Sequence, residues 1–233
     1  MTGRVLDVSR RHVSLLASSG SVVNGTIGSK AIDIVTGDVA TYETRDGKVF
    51  VTDVVPSRRT LSRSYRGVVK RMGANIDLLC VITAVGATLN PTVIDRMLIA
   101  ARIEDIPTTL IVNKADLGMG EVDEILDVYR ELGIKVLECS AKFGQSFDAV
   151  EHAIQGDDVA VVALCGVSGV GKSTILNRLI PGALAKTGEI SERTGQGRQT
   201  TSQPRGFLYE GTNGLKRVII DFPGVQFLSL IHI

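Results

Sequence analysis

The sequence predicts an α/β chain in two parts: a small β-barrel, then a mostly parallel sheet with helices on both faces. Three observations carry this reading. Residues 1 to 57 hold short alternating runs separated by Gly, Asn and Asp turns, the pattern of a small barrel or sandwich. From Ile76 onward, apolar runs alternate with amphipathic stretches, as strands and helices do in a parallel sheet. Late in the chain, "GVSGVGKS" links an apolar run, Val159 to Leu164, to a helical stretch, Lys172 to Leu179.

Size and charge bound the possibilities. With 233 residues the chain has enough material for two cores. Its 26 basic and 25 acidic side chains leave a formal net charge of +1, so any nucleic-acid contact must come from a local patch. "MTGRVLDVSRRH" lacks the apolar core of a secretory leader, and no run of about 18 apolar residues is present to span a membrane. A cytoplasmic monomer is expected. Cys80, Cys139 and Cys165 stand singly in or beside apolar strands, which favours packing over a metal or redox role.

In the first part, "GRVLDVS", "HVSLLAS", "DVATYET" and "KVFVTDVV" read as barrel strands. Residues 58 to 75 join the two parts and carry Arg58, Arg59, Arg63, Arg66, Lys70 and Arg71 without an acidic residue. Two readings of this segment stand. It is a solvated basic linker, or it is an RNA footprint in which Arg58, Arg59, Arg63 and Arg66 meet phosphates beside a five-stranded OB-like barrel, a fold that often binds oligonucleotides. In the second part, residues 76 to 233, the strands are "IDLLCVITAV", "TTLIVN", "IKVLE" and "VAVVAL". The first helix has Asn90 as N-cap and Pro91 at its first position, with Ile94, Met97, Leu98 and Ala101 on one face. The next sets Val122, Ile125, Leu126, Tyr129 and Leu132 together. Near the end, "GFLYE" and "LKRVIID" flank "GTNG", a hairpin that adds an antiparallel pair to the sheet.

The chemistry begins at the glycine-rich turn. Gly166, Val167, Ser168, Gly169, Val170, Gly171, Lys172, Ser173 and Thr174 fit the spacing of a phosphate-binding loop. Its backbone curls so that N–H groups face phosphate oxygens, and the following helix adds the positive end of its dipole. Lys172 is expected at the β- and γ-phosphates, and the Ser173 hydroxyl on Mg²⁺.

Four further stretches resemble the motifs of GTPases. "NKAD" ends a strand and is similar to the guanine-recognition motif: the Asp116 carboxylate can accept from the ring N1–H and the 2-amino group of guanine, which adenine lacks. Asn113 would tie this loop to the phosphate loop, with the Lys114 stem along the base. "CSAK" resembles the second base loop, through Ser140, Ala141 and Lys142, in which the alanine N–H meets the guanine 6-oxo group. "QTT" resembles the switch threonine motif, with Thr201 as a Mg²⁺ ligand. "DFPG" resembles the remaining motif, with Asp221 holding Mg²⁺ through water and the Gly224 N–H on the γ-phosphate. Usual GTPases begin with the phosphate loop, whereas here the base motifs come first, so the domain reads as circularly permuted.

A permuted GTPase behind a barrel resembles the RsgA family, also called YjeQ or YloQ, of ribosome small-subunit-dependent GTPases. "TGDVATYE", "PSRRTLSR" and "ANIDLLCVI" support the likeness, which covers nearly the whole chain. It implies GTP hydrolysis with Mg²⁺, coupled to late maturation of the small (30S) ribosomal subunit, with the barrel on 16S rRNA. The runner-up is a non-catalytic RNA-binding module whose bound guanine nucleotide only stabilises the fold. Two departures from the family stand out: the missing zinc ligands with the altered C-terminus, and Gln199. No Cys follows Cys165 to supply the family's zinc-binding domain, and "FLSLIHI" does not resemble the family's continuation, so zinc is not expected and the C-terminus reads as truncated or foreign. Val225 stands where many GTPases place a water-orienting glutamine. Gln199 stands where the family has histidine, and its amide can both accept from water and donate to a phosphate oxygen, so it is the candidate to orient the attacking water.

Overall fold

The computed structural model describes residues 1–65, 68–86, 89–120, 122–183, 203–212 and 214–223. Strands β1 (Thr2–Ser9), β2 (His12–Ala17), β3 (Val22–Ile27), β4 (Val39–Arg45) and β5 (Lys48–Val54) close into a barrel in the order β1-β2-β3-β5-β4. Alternate side chains point inward, so Val5, Val13, Leu15, Ala40, Tyr42 and Val51 fill the centre. Alternation alone misses β3, because Asn24-Gly25 interrupts "VVNGTI" like a turn. The structure keeps it in the ring through parallel pairing with β5, Gly25 lying opposite Val49.

The segment read as a linker contains a hairpin, β6 (Leu61–Tyr65) and β7 (Val68–Gly73). Its register places Arg63 directly opposite Lys70 and Ser62 opposite Arg71.

The second part is a six-stranded sheet in the order β10-β9-β8-β11-β13-β12. Its elements in chain order are β8 (Leu78–Ala84), α1 (Pro91–Ile103), β9 (Thr108–Asn113), α2 (Val122–Glu131), β10 (Lys135–Glu138), α3 (Phe147–Ile154), β11 (Val161–Gly166), α4 (Lys172–Leu179), β12 (Arg205–Glu210) and β13 (Lys216–Asp221). All neighbours run parallel except β12 against β13. The central strands β8 and β11 are buried along their whole length, as strands covered by helices on both faces must be. Asn90 caps α1 by accepting the Val93 N–H at 3.3 Å, Pro91 starts the helix, and Ile94, Met97 and Ala101 are its buried residues. Helix α2 buries Leu126 and Tyr129 but ends at Glu131, so Leu132 lies beyond it and is exposed. Among the described residues no helix is long and apolar enough to cross a membrane.

Burial also settles the thiols. Loss of water pushes Cys139 up to about 11 and Cys80 up to about 12, and Cys165 higher still, which keeps all three in the unreactive thiol form.

Barrel and sheet share a core. Leu6 of β1 packs in one cluster with Leu61, Ile76, Val218 and Phe222. An ion pair ties the hairpin to the barrel: Arg71 of β7 donates through Nη2 to Asp38 Oδ1 at 2.5 Å and to Ser57 Oγ at 2.8 Å. Asp38 is fully buried. Burial pushes its carboxyl up, and the Val35 N–H and the Arg71 guanidinium pull it back. Removing the cation strands a buried carboxylate, so Arg71→Met is expected to cost about 3–5 kcal/mol of stability in urea unfolding. At the exposed Arg45–Glu43 pair, Arg45→Met should cost no more than about 1 kcal/mol. Equal costs at the two positions would mean that Asp38 is not held by charge.

Candidate nucleotide site

Parallel strands bring their following loops to one edge of the sheet. The phosphate loop follows β11, "NKAD" ends β9, "SAK" follows β10, and Asp221 ends β13. Since β9, β8, β11 and β13 are consecutive neighbours, motif residues far apart in sequence meet at one edge of the sheet.

Within the phosphate loop, Gly166 and Val170 are buried while Ser168 and Gly169 face solvent and Val167 is half-buried. Gly171 has φ +90°, and a Cβ there would collide with Asn113 Nδ2, so both conformation and space require glycine. No side chain caps α4, which leaves the N–H groups of its first turn directed at the loop's concavity. Ser173 and Thr174 lie exposed in that turn. Lys172 donates to Asp221 Oδ1 at 2.5 Å, with side chains 12% and 20% exposed, so the loop cation already faces the carboxylate at the end of the neighbouring strand.

Asn113 joins three loops. Its side-chain N–H donates to Val170 O at 2.9 Å, and its Oδ1 accepts the Ala141 N–H at 3.0 Å. Lys114, at φ 62°, turns its ammonium onto Gly169 O at 2.8 Å. Asp116 is exposed, and the buried Ser140 hydroxyl donates to its Oδ1 at 2.5 Å, which restrains the carboxylate. Lys142 is exposed, with its ammonium 5.0 Å from the centre of the Phe143 ring. The Ala141 N–H, expected on a guanine oxygen, donates to Asn113 in this structure.

Gln199, Thr201, Gly224 and Arg66 lie outside the described residues. For Mg²⁺, the donor set consists of oxygens only, the Ser173 hydroxyl and the Asp221 carboxylate, and among the described residues no cluster of three or more His, Cys, Asp or Glu could hold a metal by itself. That combination fits Mg²⁺, which keeps waters and phosphate oxygens as most of its ligands.

The basic run is divided by its partners. Arg58 is exposed, Arg59 lies 3.6 Å from Asp77, and Arg71 is committed to Asp38. Of the four arginines expected at RNA, Arg59 therefore already has an acidic neighbour, while Arg71, outside that set, holds the barrel carboxylate. Sequence reasoning also missed Arg178, which reaches Ala141 O at 3.4 Å from α4 and lies over the Phe147 ring, bracing the second base loop. Its place in a helix of mixed polarity gave no signal of this.

The Asp116 geometry predicts base choice. Asp116→Asn should shift competition from guanine toward xanthine nucleotides, because a 2-oxo group needs a donor where the 2-amino group needed an acceptor. Unchanged competition would remove Asp116 from base recognition.

Comparison with known proteins gives consistent matches. A protein-family model described as RsgA GTPase matches residues 54–231. The small ribosomal subunit biogenesis GTPase RsgA of Pseudomonas aeruginosa is 33% identical over 238 residues, covering 100% of this chain and 68% of that protein. The protein of the same description from Azotobacter vinelandii is 36% identical over 207 residues, covering 86% of this chain and 58% of its own length. The crystal structure of YjeQ from Thermotoga maritima superposes with a TM-score of 0.73 at 22% identity, covering 98% of this chain and 76% of that one. That of YloQ, described as a circularly permuted GTPase, gives 0.65 at 19% identity, covering 98% and 72%.

Proposed function

Because the chain belongs to the RsgA GTPase family, we propose that this GTPase, an enzyme of ribosome biogenesis that hydrolyses GTP, works on the small (30S) ribosomal subunit and meets its 16S rRNA through the barrel and the basic hairpin. It acts as a cytoplasmic monomer. The observation that carries the reading is the convergence on Asn113, whose amide holds the base loops and the phosphate loop in one unit.

The roles combine the geometry of the described residues with the motifs of the sequence. Asp116, held by Ser140, takes the guanine edge, and Lys114 and Lys142 flank the base. Backbone N–H groups from Gly166 to Thr174 surround the phosphates, and Lys172 exchanges the Asp221 carboxylate for phosphate oxygens. Ser173, Thr201 and Asp221 would hold Mg²⁺, which would neutralise charge on the phosphate oxygens. Water attacks the γ-phosphorus in line, the bond to the bridging oxygen breaks, and GDP and phosphate leave. Gln199 orients that water and the Gly224 N–H meets the γ-phosphate. Arg58, Arg59, Arg63 and Arg66 meet the RNA, with the exposed Arg58 contributing more than Arg59, which already pairs with Asp77.

Multiple-turnover phosphate release with and without purified small subunits tests the reading. Turnover should exceed a Lys172→Ala control and rise when subunits are added. If the parent never exceeds that control, the catalytic assignment of the loop fails.

Salt dependence tests the RNA surface. Removing one cation from a phosphate lowers the slope of log affinity against log salt by about 1. Arg58→Ser should therefore flatten the slope for subunit binding by about 1, and Arg59→Ser by clearly less. Equal effects would show that the ion pair with Asp77 does not withdraw Arg59 from the surface.

A further inference from the structure

The barrel and the phosphate end of the nucleotide site meet at a buried junction. Between β3 and β4 the chain passes through Thr36, which is 3% exposed and bridges to Gly73 at the end of β7. The Ala74 N–H donates to Thr36 O at 3.0 Å, and Arg4 and Asn75 donate to the next carbonyl, Gly37 O, at 3.0 and 3.1 Å. Barrel and hairpin are thus one hydrogen-bonded unit at this point.

Two residues from the nucleotide side end on that unit. The Thr36 hydroxyl donates to Pro204 O at 3.0 Å, and Pro204 directly precedes β12. Gly73 faces Phe222, whose ring Cζ would lie 2.6 Å from a Cβ at that position. Phe222 follows Asp221, the partner of Lys172, and its own N–H donates at 3.1 Å to Leu164 O on the strand leading into the phosphate loop. Any shift of Phe222 is therefore felt at Asp221, one peptide away.

Neither residue type is incidental. Pro204 O is an acceptor at a buried contact that would lose this donor without the hydroxyl, and losing a hydrogen bond in a dry setting is costly. At position 73 a methyl group would occupy the space of the Phe222 ring. A hydroxyl and an absent side chain fix the two nucleotide-side residues against the barrel.

We propose that Thr36 and Gly73 are positioning residues that couple the nucleotide site to the barrel and hairpin surface: Gly73 sets Phe222 and through it Asp221, and Thr36 sets Pro204 and the start of β12. The inference rests on the reading that this surface meets the small subunit. Coupling of this kind is reciprocal: whatever factor GTP adds to subunit affinity, the subunit adds to GTP affinity.

The test is binding of the full chain to purified small subunits with a non-hydrolysable GTP analogue and with GDP, alongside nucleotide affinity without subunits and thermal unfolding. The parent should prefer one nucleotide state by about tenfold in subunit affinity. Thr36→Val, equal in volume but without the hydroxyl, should bring that ratio to within about twofold while nucleotide affinity without subunits stays within about twofold of the parent. Thr36→Ser should restore the ratio, which a role in packing alone would not produce. Gly73→Ala acts independently through Phe222 and should also collapse the ratio, so the test survives if Thr36→Val fails to fold. Variants that keep the parent's ratio overturn the inference. A parent that binds subunits equally with both nucleotides also overturns it and leaves the choice of partner standing, whereas a parent that binds no subunits in either state removes the partner and the coupling together.

Discussion

A single buried carboxamide sets the geometry on which the nucleotide site depends. A sheet holds strand ends about 4.8 Å apart, but it says nothing about how the loops beyond those ends sit against one another. Asn113 supplies that information by donating to the phosphate loop and accepting from the second base loop with one rigid group. Few side chains could replace it. A carboxylate would have no donor for Val170 O, and a hydroxyl would be too short to meet both partners. Gly171 completes the arrangement by leaving room for the amide. The site is thus braced through its loops as well as through its strands, and the brace is buried where water cannot compete for its bonds.

This bracing explains why the order of the motifs along the chain can be permuted. Each loop is held by its own strand, and Asn113 reaches across to loops that come later in sequence. Phosphate and base recognition need spatial neighbours, and β8 lying between β9 and β11 provides them. The antiparallel strand β12 closes the far side and brings β1 of the barrel against the sheet, with Gly206 so near Leu6 that a Cβ would lie 2.8 Å from Leu6 O.

Legibility in the sequence followed the range of the interactions. The cap at Asn90, the proline start of α1 and the apolar strands β8 and β11 are local or periodic signals, and they sit in the structure where the pattern puts them. Strand β3 is obscured because Asn24-Gly25 reads as a turn, and its parallel pairing with β5 leaves no local signal. The hairpin of β6 and β7 was obscured by its charges, which describe a solvated segment equally well. Arg71 finds its carboxylate 33 positions away and Thr36 its carbonyl 168 positions away, and no local pattern announces such partners. Leu132 shows the opposite failure: its spacing fits the helical stripe, but the helix stops one residue short of it.

The central position of β8 has a consequence for the chain as it emerges during synthesis. Strands β9 and β10 follow soon after and extend the sheet on one side, so the base-recognition loops can take shape early. The other edge of β8, apolar throughout, must wait for β11, and the bond from the Ala160 N–H to Asp77 spans 83 positions. Over that interval the nascent protein carries an open, sticky strand edge of the kind that invites pairing with the wrong chain. The permuted order therefore exchanges an early phosphate loop for a period of exposure in the half-made sheet, and a full nucleotide site exists only once β13, close to the last described residue, has been added.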